Sequence, residues 1–167
     1  MSLIKEISSL QNPLIKKVLI LKEKSRERKK TGEFILEGLR ELQLAVKSNY
    51  TIQILFFNAD IISEEKINSS ISTLKQTPEL IKVSKEVYQK IAYRETTEGV
   101  LALVKSKSHL LSDLKFSNKK PLILVAEAPE KPGNIGALLR TADAAKLDAV
   151  IIANPKGDIY NPNIIRS

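Results

Sequence analysis

The sequence of 167 residues contains no cysteine and only one histidine, His109. The absence of cysteine excludes disulfide frameworks, thiolate metal sites and cysteine nucleophiles. A single histidine also falls short of the usual zinc ligand sets, so we expect no metal site. No apolar run approaches the roughly 20 residues of a membrane span, and the start, MSLIKEISSL, lacks the layout of a signal peptide. We therefore expect a cytoplasmic protein without a membrane partner.

Positive charge is present in excess and is concentrated at one end of the chain. Residues 1–30 contain nine basic and three acidic residues (+6), out of a net charge of +8 for the whole sequence. Residues 31–118 have eleven of each sign, and residues 119–167 have seven basic and five acidic residues. Such a local excess is typical of proteins that bind the phosphate backbone of a nucleic acid.

Residues 1–30 are predicted to form a basic N-terminal helix and arm. Asn12 and Pro13 are typical of a helix start, and Leu14, Val18 and Leu21 form an apolar stripe at helical spacing. The basic side chains on the other faces are candidates for RNA contact, namely Lys16, Lys17, Arg28, Lys29 and Lys30. The alternative is a solvated helix face followed by a charged loop.

Residues 31–105 alternate between strand and helix patterns, which predicts a compact α/β domain. The predicted strands are 33–36, 52–57, 80–83 and 100–104, and the predicted helices are 38–46, 63–74 and 84–91. Arg40, in the stretch with Glu37 and Gly38 after the first strand, is a candidate for RNA phosphate contact, with a solvated helix residue as the alternative.

A polar loop from Tyr93 to Glu98 precedes the last of these strands. Arg94 is a second candidate for RNA contact, and Tyr93 beside it is the one aromatic residue that we expect to stack on a base. The alternative for the loop, including Glu95, Thr96 and Thr97, is an ordinary surface loop.

Residues 106–120 lose periodicity and are predicted to be a linker, in which His109 is solvated. Residues 121–167 begin a second domain with a strand, a helix and a strand. The apolar run 122–126 predicts a strand buried on both faces, a second apolar run at 149–153 predicts a parallel partner strand, and Asn134 is placed to cap the helix between them. Asn134 and Arg140 are expected near the carboxyl ends of these strands, where ligands gather in open parallel sheets.

The segment EKPGNIGALLRTADAA resembles the first signature motif of the SpoU-type branch of the SPOUT RNA methyltransferases. The matching positions are Pro132, Gly133, Asn134, Gly136, Arg140, Thr141, Ala142 and Asp143. Glu127 or Glu130 matches an early acidic position only loosely. Lys146 stands where a glycine is common, which predicts strain at the end of the helix. Residues 31–105 resemble the small substrate-binding domain of the same family.

The resemblance implies a ribosomal-protein-like α/β substrate-binding domain followed by the N-terminal part of an α/β-knot domain with a Rossmann-like parallel sheet. It also implies methyl transfer from S-adenosylmethionine to a ribose 2′-hydroxyl of ribosomal or transfer RNA by a homodimer. By the same resemblance, Asn134 and Arg140 belong to the catalytic site. A guanidinium holds its proton too tightly to act as a good base, so we expect Arg140 to orient the hydroxyl and a phosphate. The alternative is a structural residue paired with Asp143.

The two later motifs that build the cofactor pocket in this family are absent. We therefore expect the cofactor site beyond Ser167, this chain to be an N-terminal portion that is inactive alone, and its apolar sheet to promote association. The first alternative is a non-catalytic RNA-binding module. A third hypothesis is a glycine-rich loop that binds the phosphates of a nucleotide. It is disfavoured because the glycines are not followed by the Lys-Ser or Lys-Thr pair of a P-loop, and the spacing of Gly133 and Gly136 does not match the dinucleotide motif GxGxxG.

Overall fold

The computed structural model describes residues 4–94 and 98–167 and separates into two compact units. The first unit comprises residues 1–106 and the second comprises residues 107–167. The predicted surface-loop residues Glu95, Thr96 and Thr97 lie outside the described residues. None of the helices in the described ranges combines the length and the apolar character of a membrane span.

The first unit contains every strand and helix predicted between residues 31 and 105, together with three elements near the N-terminus. In chain order the elements are β1 (Lys5–Ile7), α1 (Pro13–Glu23), α2 (Ser25–Thr31), β2 (Glu33–Glu37), α3 (Leu39–Lys47), β3 (Ile52–Phe57), α4 (Glu64–Ile71), β4 (Glu79–Val83), α5 (Lys85–Ile91) and β5 (Val100–Lys105). Polar caps set several helix starts, since the side chains of Asn12, Ser63 and Ser84 accept backbone hydrogen bonds in the first turns of α1, α4 and α5.

The sheet of the first unit has the strand order β1-β4-β3-β5-β2. Strands β1, β4 and β3 run parallel, whereas β5 is antiparallel to both β3 and β2. A register shift between Ile52 and Ile54 interrupts the β3–β5 ladder. Strand β5, whose sequence is apolar without interruption up to Val104, is buried from Val100 to Val104.

Residues 1–30 are part of the first unit and not a separate arm. Ile15, Val18 and Leu21 of α1 are each at most 1% exposed and belong to one apolar cluster with Val87 and Ile91 of α5. The expected charged loop after α1 is the helix α2. It ends at Gly32, whose φ of 64° gives the left-handed cap that glycine adopts without steric cost.

The second unit contains the predicted strand-helix-strand arrangement. A short 3₁₀ helix (Leu111–Asp113) precedes β6 (Ile123–Glu127), α6 (Pro132–Ala144), β7 (Ala149–Ala153) and α7 (Pro162–Ile165). Strands β6 and β7 are parallel, in register from Ile123 opposite Ala149 to Glu127 opposite Ala153. The prediction that the first of these strands is buried on both faces is wrong, because Leu122 and Val125 are each 61% exposed. In the described residues this sheet has two strands.

Helix α6 ends in the strained geometry predicted at Lys146. The Leu147 N–H donates to the Ala142 carbonyl (2.9 Å), and the Lys146 N–H donates to the Asp143 carbonyl (3.0 Å). This pair of bonds is a Schellman motif, which requires a left-handed residue after the cap. Lys146 adopts that conformation with a φ of 53°, at a cost that glycine avoids.

Candidate functional site

Asn134 lies in the first turn of α6, on the side where β6 ends. The prediction that Asn134 caps the helix is wrong because the helix begins at Pro132, with Lys131 in the cap position and without a side-chain cap. Asn134 is exposed, and its amide makes no hydrogen bond within the described residues. The amide is therefore accessible to a ligand at the carboxyl end of β6.

Arg140 is exposed and lies further along the same helix. Along the helix axis, Arg140 lies about 12 Å from Pro132 and about 9 Å from Asn134. Around the axis, Arg140 and Asn134 are about 120° apart. The Arg140 Nη1 donates to the Ser167 carbonyl oxygen (3.2 Å). The alternative pairing with Asp143 is not observed in the described residues. Asn134 thus lies beside the end of β6, whereas Arg140 lies further along α6 and would reach toward that end only through its long side chain.

Gly136 explains how the end of the chain approaches this helix. The residue is buried, and a Cβ atom at this position would overlap the side chain of Ser167. The missing side chain at position 136 therefore leaves room for Ser167, two residues after the last residue of α7. Asn161 caps α7 by accepting from the Asn163 N–H (2.9 Å), and Pro162 follows it in the first position of the helix.

The loops after β6 and β7 carry the acidic residues that match the motif loosely. Glu127 accepts a hydrogen bond from Asn154 (2.8 Å), and Glu130 forms an exposed ion pair with Lys156 (2.7 Å). These polar groups are satisfied by one another and face solvent. By themselves they do not fit S-adenosylmethionine, which needs an enclosed surface for its adenine ring and free partners for its charged groups.

The predicted RNA-binding lysines at the N-terminus are partly paired. Lys16 and Lys29 are exposed, whereas Lys17 binds the buried carboxylate of Glu33 (2.7 Å) and Lys30 lies 4.0 Å from Glu27. The Lys30 pair is exposed and contributes little to stability.

Arg28 differs from the other basic residues of this segment. It is 3% exposed, and its Nη1 donates to the carbonyl oxygens of Leu21 (2.6 Å) and Lys22 (3.1 Å). These carbonyls lie in the last turn of α1, where no helical partner is available. The structure therefore assigns Arg28 to closing the turn between α1 and α2, and we remove it from the candidate RNA surface.

The stretch after β2 is built around a glycine and two carboxylates. Gly38 has φ 113° and ψ 151°, a conformation essentially restricted to glycine, and starts α3. The Leu39 N–H donates to the Glu98 carboxylate (2.5 Å), and Arg40 follows on the exposed first turn of α3. Gly38 thus turns the chain and leaves Arg40 accessible.

Glu37 and Lys22 hold the loop that carries Tyr93 and Arg94. The Glu37 carboxylate accepts from the backbone N–H groups of Tyr93 (2.5 Å) and Arg94 (3.3 Å). Lys22 Nζ donates to the Ala92 carbonyl (2.7 Å) and lies 5.6 Å from the centroid of the Tyr93 ring. Burial lowers the pKa of Lys22, while the charges of Glu37 and Glu23 oppose that shift. Sequence patterns gave no indication of these contacts, which join residues up to 70 positions apart.

The segment expected to be a plain linker makes specific contacts within the second unit. The Lys107 N–H donates to the Tyr160 hydroxyl (2.7 Å), which donates to the Lys107 carbonyl (3.1 Å). His109 is exposed, as predicted, and its Nε2 lies 2.9 Å from the same hydroxyl. These contacts attach residues 107–109 to the turn before α7.

Comparison with known families divides the chain where the structure does. Residues 12–102 match the family model described as the MRM3-like substrate binding domain, and residues 121–167 match the SpoU rRNA Methylase family. Among curated proteins, the chain is 30% identical over 163 residues to the 23S rRNA (guanosine(2553)-2'-O)-methyltransferase RlmP of Bacillus subtilis (strain 168), covering 98% of this chain and 60% of that protein. It is 25% identical over 142 residues to a 23S rRNA (uridine(2479)-2'-O)-methyltransferase of Streptomyces viridochromogenes, covering 84% of this chain and 48% of that protein.

Solved structures give the same result for the fold. A crystal structure of an RNA 2'-O ribose methyltransferase is 33% identical, with a TM-score of 0.78 over 96% of this chain and 60% of that one. The AdoMet-bound rRNA methyltransferase from Sinorhizobium meliloti, at 23% identity, shares the fold with a TM-score of 0.83 over 98% of this chain and 59% of that one. The chain therefore spans about half to three fifths of the length of these relatives.

Proposed function

Because the chain belongs to the family that joins an MRM3-like substrate binding domain to a SpoU methylase domain, we propose that the whole protein is a ribosomal RNA ribose 2′-O-methyltransferase. The observation that carries the proposal is the motif from Pro132 to Asp143, which lies on one helix directly after a parallel strand. S-adenosylmethionine, the cofactor of the family, would supply the methyl group. A homodimer and a cytoplasmic location remain parts of the proposal.

Within this chain, Arg140 and Asn134 are the groups proposed to act on the ribose. Arg140 donates its hydrogen bond to the uncharged carbonyl oxygen of Ser167. A phosphate, or a ribose oxygen that carries developing negative charge, would bind the guanidinium more strongly. A guanidinium keeps its proton at neutral pH, so Arg140 orients the hydroxyl and the adjacent phosphate and does not remove a proton. The exposed amide of Asn134 has a free donor and a free acceptor for the same sugar.

RNA binding is assigned to the first unit. The proposed surface consists of the exposed or partly exposed cations Lys16, Lys17, Lys29, Lys30, Arg40 and Arg94. Replacing Lys16, Lys17, Lys29 and Lys30 by glutamine is expected to weaken RNA binding and to flatten its dependence on salt, because each lost phosphate contact removes about 0.7–0.9 from the log–log slope. An unchanged affinity and slope would contradict this surface.

Arg140→Ala in the whole protein tests the catalytic proposal. We expect a loss of about 100-fold or more in kcat, the usual cost of removing one donor that stabilises developing charge, with RNA affinity retained. The measurement is 2′-O-methylation of ribosomal RNA, with circular dichroism to verify folding. Lys119→Ala, at an exposed cation of the same unit, is the matched control. Methylation at the wild-type rate in a folded Arg140→Ala protein would refute the assignment.

A non-catalytic RNA-binding module is the second candidate for the chain studied. Two observations favour it. Residues 12–102 match a substrate binding domain, and the loops after β6 and β7 do not fit the cofactor by themselves. Titration of S-adenosylmethionine into the whole protein distinguishes the candidates, because the 167-residue chain is expected not to hold the cofactor in either case. Stoichiometric binding would favour the enzyme, and RNA binding without cofactor binding would favour the module.

A further inference from the structure

A concave pocket of about 650 Å³ opens in the first unit, beside the carboxyl ends of β3 and β4. Its walls come from the turn after β3, from α5 and from the loop after α5. The volume lies within the range of about 300–1,000 Å³ that is typical of small-ligand sites. All of its lining residues belong to the first unit, and neither Asn134 nor Arg140, the proposed catalytic residues, is among them.

The floor of the pocket is rigid. Tyr88 and Asn58 line it and are each 2% exposed. Asn58 is fixed on both sides of its amide, because Nδ2 donates to the Val83 carbonyl (3.2 Å) and Oδ1 accepts from the Asp60 N–H (3.0 Å). These bonds hold the turn after β3 against the end of β4, so the cavity is a preformed feature of the fold.

The rim combines one aromatic ring with side chains of both charges. Tyr93 is 42% exposed, and the cations Arg94 and Lys85 and the carboxylate of Asp60 are exposed around the same cavity. An aromatic face binds the π-surface of a base, an exposed cation binds phosphate, and a carboxylate accepts from the amino or imino groups of a base edge. Together these groups match the parts of one nucleotide.

The aromatic rim is held in position before any ligand arrives. Glu37, from the end of β2, accepts from the backbone N–H groups of Tyr93 and Arg94, and Lys22, from α1, donates to the Ala92 carbonyl. Lys22 also lies beside the Tyr93 ring as a cation–π partner. Two segments that are distant in sequence, α1 and the end of β2, thus hold residues 92–94, which reduces the ordering cost of binding.

We propose that this pocket binds a single unpaired nucleotide of the RNA, with the base against Tyr93 and the phosphate at Arg94 or Lys85. The inference rests on the proposed RNA-binding function and adds the class of RNA that is recognised. A base in an A-form duplex is stacked and its edges are largely hidden, so a concave aromatic pocket accepts only a base outside a duplex. The pocket therefore selects single-stranded or bulged RNA.

The experiment compares binding of a short single-stranded oligoribonucleotide of mixed sequence with binding of its duplex, by fluorescence anisotropy. Tyr93→Ala is expected to weaken single-strand binding about 5- to 100-fold, which corresponds to the usual loss of one stacked base, and to leave duplex binding unchanged. Tyr93→Phe keeps the ring and is expected to retain affinity. Phe116→Ala, at an exposed aromatic residue of the second unit, is the control.

A second readout does not depend on the Tyr93 variants. The single strand labelled with 4-thiouridine is crosslinked to the wild-type chain, and a crosslink within residues 85–94 supports the pocket. Arg94→Gln provides an independent variant should Tyr93→Ala fail to fold. It is expected to lower single-strand affinity and to reduce the salt slope by about one phosphate contact.

The outcomes separate the two proposals. Wild-type binding of RNA with no effect of Tyr93→Ala and Arg94→Gln, or equal effects on single strand and duplex, overturns the pocket inference alone. Crosslinks exclusively outside residues 85–94 do the same. Failure of the wild-type chain to bind either RNA overturns the proposed RNA function and the pocket together.

Discussion

The two units differ in the residue types that adopt left-handed backbone conformations. In the first unit, the described residues with left-handed φ are Gly32, Gly38, Gly99 and Asn49. In the second unit they are Ala128, Lys146 and Asn154, with no glycine among them. Glycine and, to a smaller extent, asparagine adopt these angles readily, whereas alanine and lysine pay roughly 1–2 kcal/mol each. The second unit therefore retains backbone strain that the first unit largely avoids.

The sheets of the two units also differ, in how deeply their apolar strands are buried. Strand β5 is buried over its apolar length, whereas Val125 of β6 is 61% exposed although its sequence is equally apolar. The comparison shows that an apolar run predicts a strand but does not determine its burial. Burial depends on which other layers the sheet meets, and in the second unit the described residues provide few.

The largest expected effect comes from removing a buried leucine in the first unit. Leu55→Ala, at a side chain that is 0% exposed, is expected to lower the free energy of unfolding by about 2–5 kcal/mol because it leaves a cavity. Leu122→Ala, at a side chain that is 61% exposed, is expected to change it by less than about 1 kcal/mol. Urea denaturation, with regional hydrogen exchange, measures both. Equal losses would mean that the two units do not differ in burial as described.

Gly38→Ala should be the next most damaging change. Its φ of 113° is strained for any L-residue, and the added Cβ would meet the Glu41 side chain, so we expect a loss of about 1–3 kcal/mol. Gly133→Ala is the control in the second unit, because a Cβ there has no neighbour within 4 Å and the position is helical. The control is expected to be neutral or stabilising by up to about 1 kcal/mol. Similar losses in thermal denaturation would contradict the assigned strain.

Lys146→Gly is expected to stabilise the second unit by about 1 kcal/mol, since glycine relieves the left-handed conformation after α6. The same substitution at Lys47, the last residue of α3, should instead cost up to about 1 kcal/mol, because that position is helical. Hydrogen exchange at the end of each helix reports the two signs. A loss at both positions would show that the strain at Lys146 carries no energetic cost.

The smallest predicted effect is a pH dependence at Lys22. Burial lowers its pKa in the folded chain, so between that pKa and the ordinary value of 10.5 the unfolded state binds more protons. The free energy of unfolding contributed by this group therefore rises with pH in that window and is constant below it. The difference between wild type and Lys22→Met, followed by urea denaturation from neutral to alkaline pH, should show the rise. A flat difference would contradict it.

Sequence patterns predicted the elements from β2 to β5 because each has local signals, namely periodic apolar residues and serine caps at α4 and α5. They missed β1, which is three residues long with one apolar side chain, and α2, whose sequence SRERKKT has no apolar face. Helix α2 depends on Arg28 and on the left-handed Gly32, which are contacts and geometry and not periodicity.

The candidate site likewise has features that sequence patterns predicted and features that they could not predict. The motif assigned Asn134 and Arg140 to one helix, because its residues are adjacent in sequence. The position of Asn134 in the first turn, and not at the cap, depended on where Pro132 starts the helix. The support of Tyr93 and Arg94 by Glu37 joins residues 56 and 57 positions apart, and no local pattern contains that information.

The pairing of β1 with β4 has a consequence for the order of assembly during synthesis. Lys5 pairs with Ile81, so 76 residues must be added after the first strand before its partner exists (81 − 5 = 76). At the usual rate of about 5–20 residues per second, this delay is roughly 4–15 s. Strand β1 therefore stays unpaired throughout that interval, and β2 stays unpaired for longer after its own synthesis than β3 does, because its partner β5 begins only at Val100.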